Sequence, residues 1–234
     1  MIKEIIIPDN IKIISLDNNR GVFELFPLYP GYGITIGNAL RRVLLSSIKG
    51  SAITMVKIEG APHEFSTIPG VLEDVIDIIL RLKHVRIKYE GETPVELELS
   101  KKGRGEVLAK DIKCPPGVRV INEDFLIATL TSNDSELKMK LTVERGYGYY
   151  VAEDREKRLE RVDPGVIFLD AIFSPIINVT YEVENIVYKE RTDYNLLRLI
   201  IETDGTIEPV DALKQALEVL IKHFNFIYET FGKN

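Results

Sequence analysis

The sequence predicts an α+β fold. Apolar and polar residues alternate strictly in several segments, three other segments carry apolar residues at helical spacing, and the strands cluster instead of alternating one-for-one with helices. Strand signals dominate the first 25 residues. After them the first helix spans about Ile36 to Ile48, with Ile36, Leu40, Val43, Leu44 and Ile48 on one side. Lys49-Gly50 closes it, glycine being suited to the left-handed position past a helix end. A second helix, about Gly70 to Lys83, has Leu72, Val75, Ile76, Ile79 and Leu82 as its apolar face, with Glu73 and Asp74 near its positive end.

Strands account for most of the middle. Val85, Ile87 and Tyr89 alternate with polar residues, as do Val95, Leu97 and Leu99, then Leu137, Met139, Leu141 and Val143, and finally Ile177, Val179, Tyr181 and Val183. Such a period buries one face and wets the other, as in antiparallel sheets. Pro8, Pro94 and Cys114-Pro115-Pro116-Gly117 punctuate these strands. Residues 144–165 read as a charged surface loop, since nine of the eleven residues from Glu153 to Asp163 are charged.

The third helix runs from Pro209 to about Phe231, proline fitting a first helical position that needs no N–H. Val210, Leu213, Leu217, Leu220, Phe224, Ile227 and Phe231 follow a 3-4 spacing without a break, and Ala212, Ala216, Val219, His223 and Phe226 form a second stripe beside it. Two readings fit: a helix wholly buried in its own core, or a helix that docks on its own sheet with one stripe and on another chain with the other. Glu208 is a poor cap before Pro209, so the first turn is expected to fray slightly.

Composition narrows the function. No run of 18 apolar residues is present, so no membrane span is expected. The first residues, MIKEIIIPDN, are too short and too charged for a signal peptide. A lone cysteine, Cys114, rules out an internal disulfide and fits a reducing, cytoplasmic compartment. The net charge of −6 disfavours a chain built to grip DNA.

Chemistry-bearing motifs are weak. Gly31, Gly33 and Gly37 resemble a phosphate loop, but their spacing is GxGxxxG, Pro27 and Pro30 break the preceding strand, and no βαβ unit follows. Backbone freedom at a turn into the helix is the competing explanation, with Asn38 near the helix start as a possible cap. His63, His84 and His223 share no ligand spacing, so no metal is expected. Ser46 and Ser47 lack a nearby histidine, and Glu73, Asp74 and Asp77 read as a solvated helix flank. Arg41 and Arg42 lie about 100° apart around the first helix. They fit plain solvated surface, or one pairs within the domain while the other reaches a partner, where the planar guanidinium fork suits carboxylates.

Four segments carry a family resemblance: GNALRRVLLSS (Gly37–Ser47), HEFSTIPGVLEDV (His63–Val75), VERGYGYYVAE (Val143–Glu153) and RTDYNLLRLIIETDGTIEPVDAL (Arg191–Leu213). Together they resemble the N-terminal domain of the alpha subunit of bacterial RNA polymerase over nearly all 234 residues. The resemblance implies two domains, the second inserted into the first: a discontinuous dimerisation and assembly domain, 1–51 and 176–234, with an antiparallel sheet and two main helices, and a strand-rich insert, 52–175. It implies a homodimer whose seam draws on Leu40, Leu44, Leu213, Leu217, Leu220, Phe224, Ile227 and Phe231. It further implies a beta-subunit contact at Arg42 and Leu45, three residues apart on one helix face, and a beta-prime contact at Lys83 and Leu169. No catalytic residue, cofactor or metal is implied for this chain; nucleotidyl transfer would belong to the large subunits.

Two alternatives remain at this point: a small-molecule enzyme using the Gly31–Gly37 loop, and an archaeal-type assembly subunit, against which the match of the insert counts. Family members continue into a linker and a small C-terminal domain that binds DNA and activators. The sequence ends at Asn234, and no residue of that module is assigned.

Overall fold

Helices and strands follow one another much as their periodicities demand, in a computed structural model that describes residues 5–8, 10–157 and 163–231. In chain order, β1 is Asn10–Leu16, β2 Arg20–Leu28, α1 Tyr32–Ser47 and β3 Lys49–Ile58. Then come α2 Val75–Leu82, β4 Ile87–Tyr89, β5 Val95–Lys102, β6 Gly105–Leu108, β7 Ile112–Lys113, β8 Val118–Val120, β9 Leu126–Leu130 and β10 Glu136–Tyr147. The chain continues with β11 Tyr149–Tyr150, α3 Ala152–Glu156, β12 Val166–Phe168, β13 Ala171–Ile172, β14 Ile176–Tyr188, β15 Arg191–Thr203 and α4 Pro209–Phe231. The strands pair antiparallel throughout, so the fold is α+β. Two compact units result, Met1–Ile48 with Pro175–Asn234, and Lys49–Ser174. The first crossing lies at Ile48, ahead of Ser51, because β3 begins directly after α1 and pairs with β10 of the second unit.

In the first unit the sheet order is β1-β2-β15-β14. Its core joins Phe23, Val179, Leu199 and Ile201 of the sheet to Leu40, Leu44 and Ile48 at the first helix and Ala212 and Ala216 of α4. On the other face Arg198 holds Glu24 at 2.8 Å, with Glu182 and Glu184 close by, so that side stays polar. Strand β2 runs through Pro27 to Leu28, past the break expected there, with a cis Phe26–Pro27 peptide and an irregular register against β15. The alternation expected for Ile177 fails: the register against β15 slips between Ile176 and Asn178, which turns Ile176 into the core and leaves Ile177 exposed.

Helix α1 begins four residues earlier than its apolar stripe suggested. The Asn195 side chain on β15 explains the early start: its Oδ1 accepts from the backbone N–H of Gly31 at 2.9 Å and of Gly33 at 3.4 Å. Asn38 lies beyond the first turn, exposed, and caps nothing. Gly33 and Gly37 are buried because the helix crosses the sheet too closely for side chains there. A Cβ on Gly37 would meet Tyr181 Cδ2 at 2.6 Å and Leu197 Cδ1 at 2.9 Å. Gly37→Ala should therefore destabilise the first unit by about 1–3 kcal/mol, despite the gain of roughly 1 kcal/mol in helix propensity. Thermal unfolding checks this; a Tm at or above wild type would show that the Tyr181 ring can move aside.

In the second unit the main sheet runs β12-β3-β10-β5-β7. Leu137, Met139, Leu141 and Val143 of β10 all face inward with Leu97 and Leu99 of β5, as the alternation required. Helix α2 is shorter than expected, with Asp74 as its cap, accepting from the Asp77 N–H at 2.8 Å. Its buried face is Val75, Ile78, Ile79 and Leu82, whereas Leu72 precedes the helix and is exposed. Residues 144–150, expected in a loop, are mostly strand, since β10 continues along β3 to the Tyr147–Lys49 pair. Residues 158–162 of that expected loop lie outside the described residues.

Glu73, expected to be solvated, is buried. Its carboxylate accepts from Arg81 Nη1 at 2.8 Å, from the Thr129 N–H at 2.7 Å and from the Thr129 hydroxyl at 3.1 Å, tying the start of α2 to β9. Burial pushes its pKa up, but these hydrogen bonds outweigh burial and hold it below the ordinary 4.5. A folded-state pKa below the unfolded one stabilises the fold above the unfolded value, and that share is lost as pH falls through the folded value. Wild type should thus lose more stability than Glu73→Gln as pH drops below about 4.5. Urea midpoints at a series of pH values test this; parallel curves would refute it.

Candidate functional site

The glycine segment is the first place to look for chemistry, and its geometry is that of packing. Gly31 takes a φ of 87°, and the N–H groups of Gly31 and Gly33, which a phosphate would need, are already bonded to Asn195. The histidines have local roles: His63 Nδ1 lies 3.2 Å from Ser66 Oγ, and His223 Nδ1 lies 2.8 Å from the Val219 carbonyl. Among the described residues no group of His, Cys, Asp and Glu could hold a metal ion, and no helix is long and apolar enough to cross a membrane.

What stands out instead is uncovered apolar surface on α4. Ala212 and Ala216 of the second stripe dock on the sheet, small enough for the helix to sit close. Leu213 and Leu220 are partly buried at the edge of that contact. Beyond them the helix leaves its support: every residue from Ile221 to Phe231 is exposed. Leu217 is 41% and Phe224 62% exposed, and Ile227 and Phe231 are also open. Ile221 and Tyr228, which the heptad count passed over, fall between them to complete a row at spacings of 4, 3, 4 and 3: Leu217, Ile221, Phe224, Tyr228, Phe231. Phe226 is exposed on another side of the same helix. The distal half of α4 thus carries large apolar side chains that the described residues of its own protomer leave uncovered.

Leu40 and Leu44 need correcting as seam residues. Both are fully buried within the protomer core, so they have no surface left to give to a second chain. They anchor α1 to the sheet. The outward side of α1 carries Ile34, Arg41, Arg42 and Leu45, all exposed. Neither arginine forms an ion pair among the described residues, which agrees with the solvated-surface alternative and not with pairing inside the domain. Arg42 and Leu45 are both accessible, as a joint contact on one helix face requires.

Lys83 and Leu169 lie in the second unit, and they differ. Lys83 Nζ is 2.9 Å from Asp170 Oδ2. The Asp170 carboxyl is held below its ordinary range first by the Ala152 N–H, at 2.9 Å, and then by Lys83. Leu169 is 1% exposed, part of the core, with its N–H bonded to the Thr54 carbonyl at 2.9 Å. It cannot touch a partner, and it sets the position of its neighbour Asp170.

Comparison with known proteins gives these surfaces a context. The family model described as "RNA polymerase Rpb3/RpoA insert domain" matches residues 56–174. The DNA-directed RNA polymerase subunit alpha of Roseiflexus sp. (strain RS-1) is 48% identical over 213 residues, which is 91% of this chain and 65% of the relative. The same subunit of Hydrogenobaculum sp. (strain Y04AAS1) is 49% identical over 225 residues, 96% of this chain and 70% of the relative. That of Aquifex aeolicus (strain VF5) is 44% identical over 232 residues, 99% and 72% respectively. The chain therefore spans roughly two thirds of the length of these relatives.

Proposed function

Because this chain belongs to the family of DNA-directed RNA polymerase alpha subunits, we propose that it is the assembly platform of that polymerase in the cytoplasm. Two copies associate through the distal half of α4, which lies against the partner copy. The dimer then recruits the two large subunits, one copy presenting Arg42 and Leu45 to beta, the other presenting the surface at Lys83 to beta-prime. Identical chains then make different contacts, which works only if the contact surfaces lie outside the seam. The discontinuous unit is the dimerisation domain, and the inserted unit carries the Lys83 surface. Nucleotidyl transfer belongs to the complex, and this chain takes part without a catalytic group and without gripping DNA.

The observation that carries this reading is the row Leu217, Ile221, Phe224, Tyr228 and Phe231, left open by the protomer. An exposed apolar run of that length on a soluble chain calls for a partner. Light scattering on the purified chain, alone and with beta, tests it. A dimer that forms a two-to-one complex with beta is the expected result. A monomer, or a dimer that ignores beta, would sink the reading.

A further inference from the structure

We propose that the outer face of the β3–β10–β5 sheet carries a binding site for a small phosphate monoester with an apolar body, its phosphate seated between Lys57 and Lys140. The site lies wholly within the second unit. It goes beyond the assembly reading and does not depend on it.

A cavity of about 700 Å³ opens here, within the roughly 300–1,000 Å³ of small-molecule sites. Three neighbouring strands line it, and Pro62 and Pro164 join them from the loops after β3 and before β12. Because Leu137, Met139 and Leu141 of β10 face the core, Lys138 and Lys140 between them face outward. Residues directly opposite in a ladder share a face. Lys140 is opposite Lys57 on one side and Glu98 on the other, and Glu98 is in turn opposite Lys113. Four charges therefore stand side by side across β3, β10, β5 and β7, and Glu98 is the sole carboxylate among them.

Lys57 and Lys140 form the unusual pair in this row. Like charges directly opposite each other destabilise a sheet. Among the described residues neither ammonium group forms an ion pair. The neighbouring charges are matched. Lys138 Nζ lies 3.0 Å from Glu136 and 4.0 Å from Glu59, and Glu98 stands between Lys140 and Lys113. The uncompensated charge thus sits on the β3 side of the cavity. Two adjacent ammonium groups attract a dianion more strongly than a single charge. A phosphate monoester is close to dianionic at neutral pH, and lysine binds phosphate as a point charge. The rest of the lining suits carbon: lysine stems are apolar along their length, and Ala61, Pro62 and Pro164 add to them.

The test is calorimetric titration of the purified chain with naphthyl phosphate, with inorganic phosphate and naphthol as its separate halves. One site per chain is expected, and each half alone should bind at least about 10-fold more weakly. Lys57→Gln and Lys140→Gln should each weaken binding about 10-fold, as the loss of one charge-assisted contact. Their Tm should stay at or above that of wild type, because a like-charge contact is removed. Lys113→Gln, in the same row but outside the cavity, should bind as wild type does. Absence of binding by wild type would overturn the proposal. So would full binding by the double variant of Lys57 and Lys140, or a loss in Lys113→Gln equal to that in Lys57→Gln, which marks general charge attraction. Inorganic phosphate binding as tightly as the ester would refute the apolar body. A phosphotyrosine peptide that binds more tightly than naphthyl phosphate would refute the small-molecule ligand.

Discussion

Glutamate at both Leu217 and Phe224 is expected to yield a folded monomer. Both side chains are exposed in the protomer, 41% and 62% respectively, so a charge there meets water and the single chain keeps its core. Against a second copy the same positions would be covered. Each apolar side chain contributes roughly 1.5–3 kcal/mol when fully buried. A two-fold seam uses each position twice, so four such side chains change in the dimer. Leaving four carboxylates in an apolar seam adds a further desolvation cost. The sum exceeds what a moderately tight dimer can lose. Light scattering should give half the wild-type mass, with far-ultraviolet circular dichroism and Tm showing a folded chain. Lys222→Glu, exposed and about 140° around the helix from Leu217, serves as the control for charge alone and should leave the dimer intact. A double variant that keeps its dimer mass would move the seam away from this row.

Arg42→Ala is expected to abolish co-purification with beta while the dimer survives. Arg42 is exposed and forms no ion pair among the described residues, so the protomer loses nothing when it is truncated. An arginine at an interface is often an anchor whose removal costs at least about 2 kcal/mol, or roughly 30-fold in affinity. Arg42→Lys keeps the charge but loses the planar fork, and recovery should be partial at best. Arg41→Ala is the matched control: also exposed, equally charged, and about 100° away around the helix. Its effect should be clearly smaller. If Arg41→Ala cost more than Arg42→Ala, the beta contact would lie on the neighbouring side of α1. The two experiments separate the surfaces, since the first removes the dimer and the second leaves it whole.

Much of this molecule was legible from local pattern. Helix α4 begins and ends where its stripe and Pro209 place it, and β10 buries Leu137, Met139, Leu141 and Val143 as a period of two requires. The misread features share one cause. Asn195 caps α1 from 164 residues away, the partners of Glu73 include a residue 56 positions on, and the Ile177 slip exists only relative to β15. None of these leaves a mark within a window of one helix turn or one strand.

The sequence by itself determined the α+β class and the main helices and strands, because short-range periodicity and turn residues are properties of neighbours along the chain, and its four matching segments carried the resemblance to alpha subunits. Only the tertiary structure decided which apolar residues are already taken. The resemblance implies contacts at Leu40, Leu44 and Leu169, yet they are sealed in cores; Leu217 and Phe224, implied in the same way, stay open. The physical reason is that hydrophobicity is a property of a side chain, whereas burial is a property of what packs on it, and that packing comes from residues far apart in the chain.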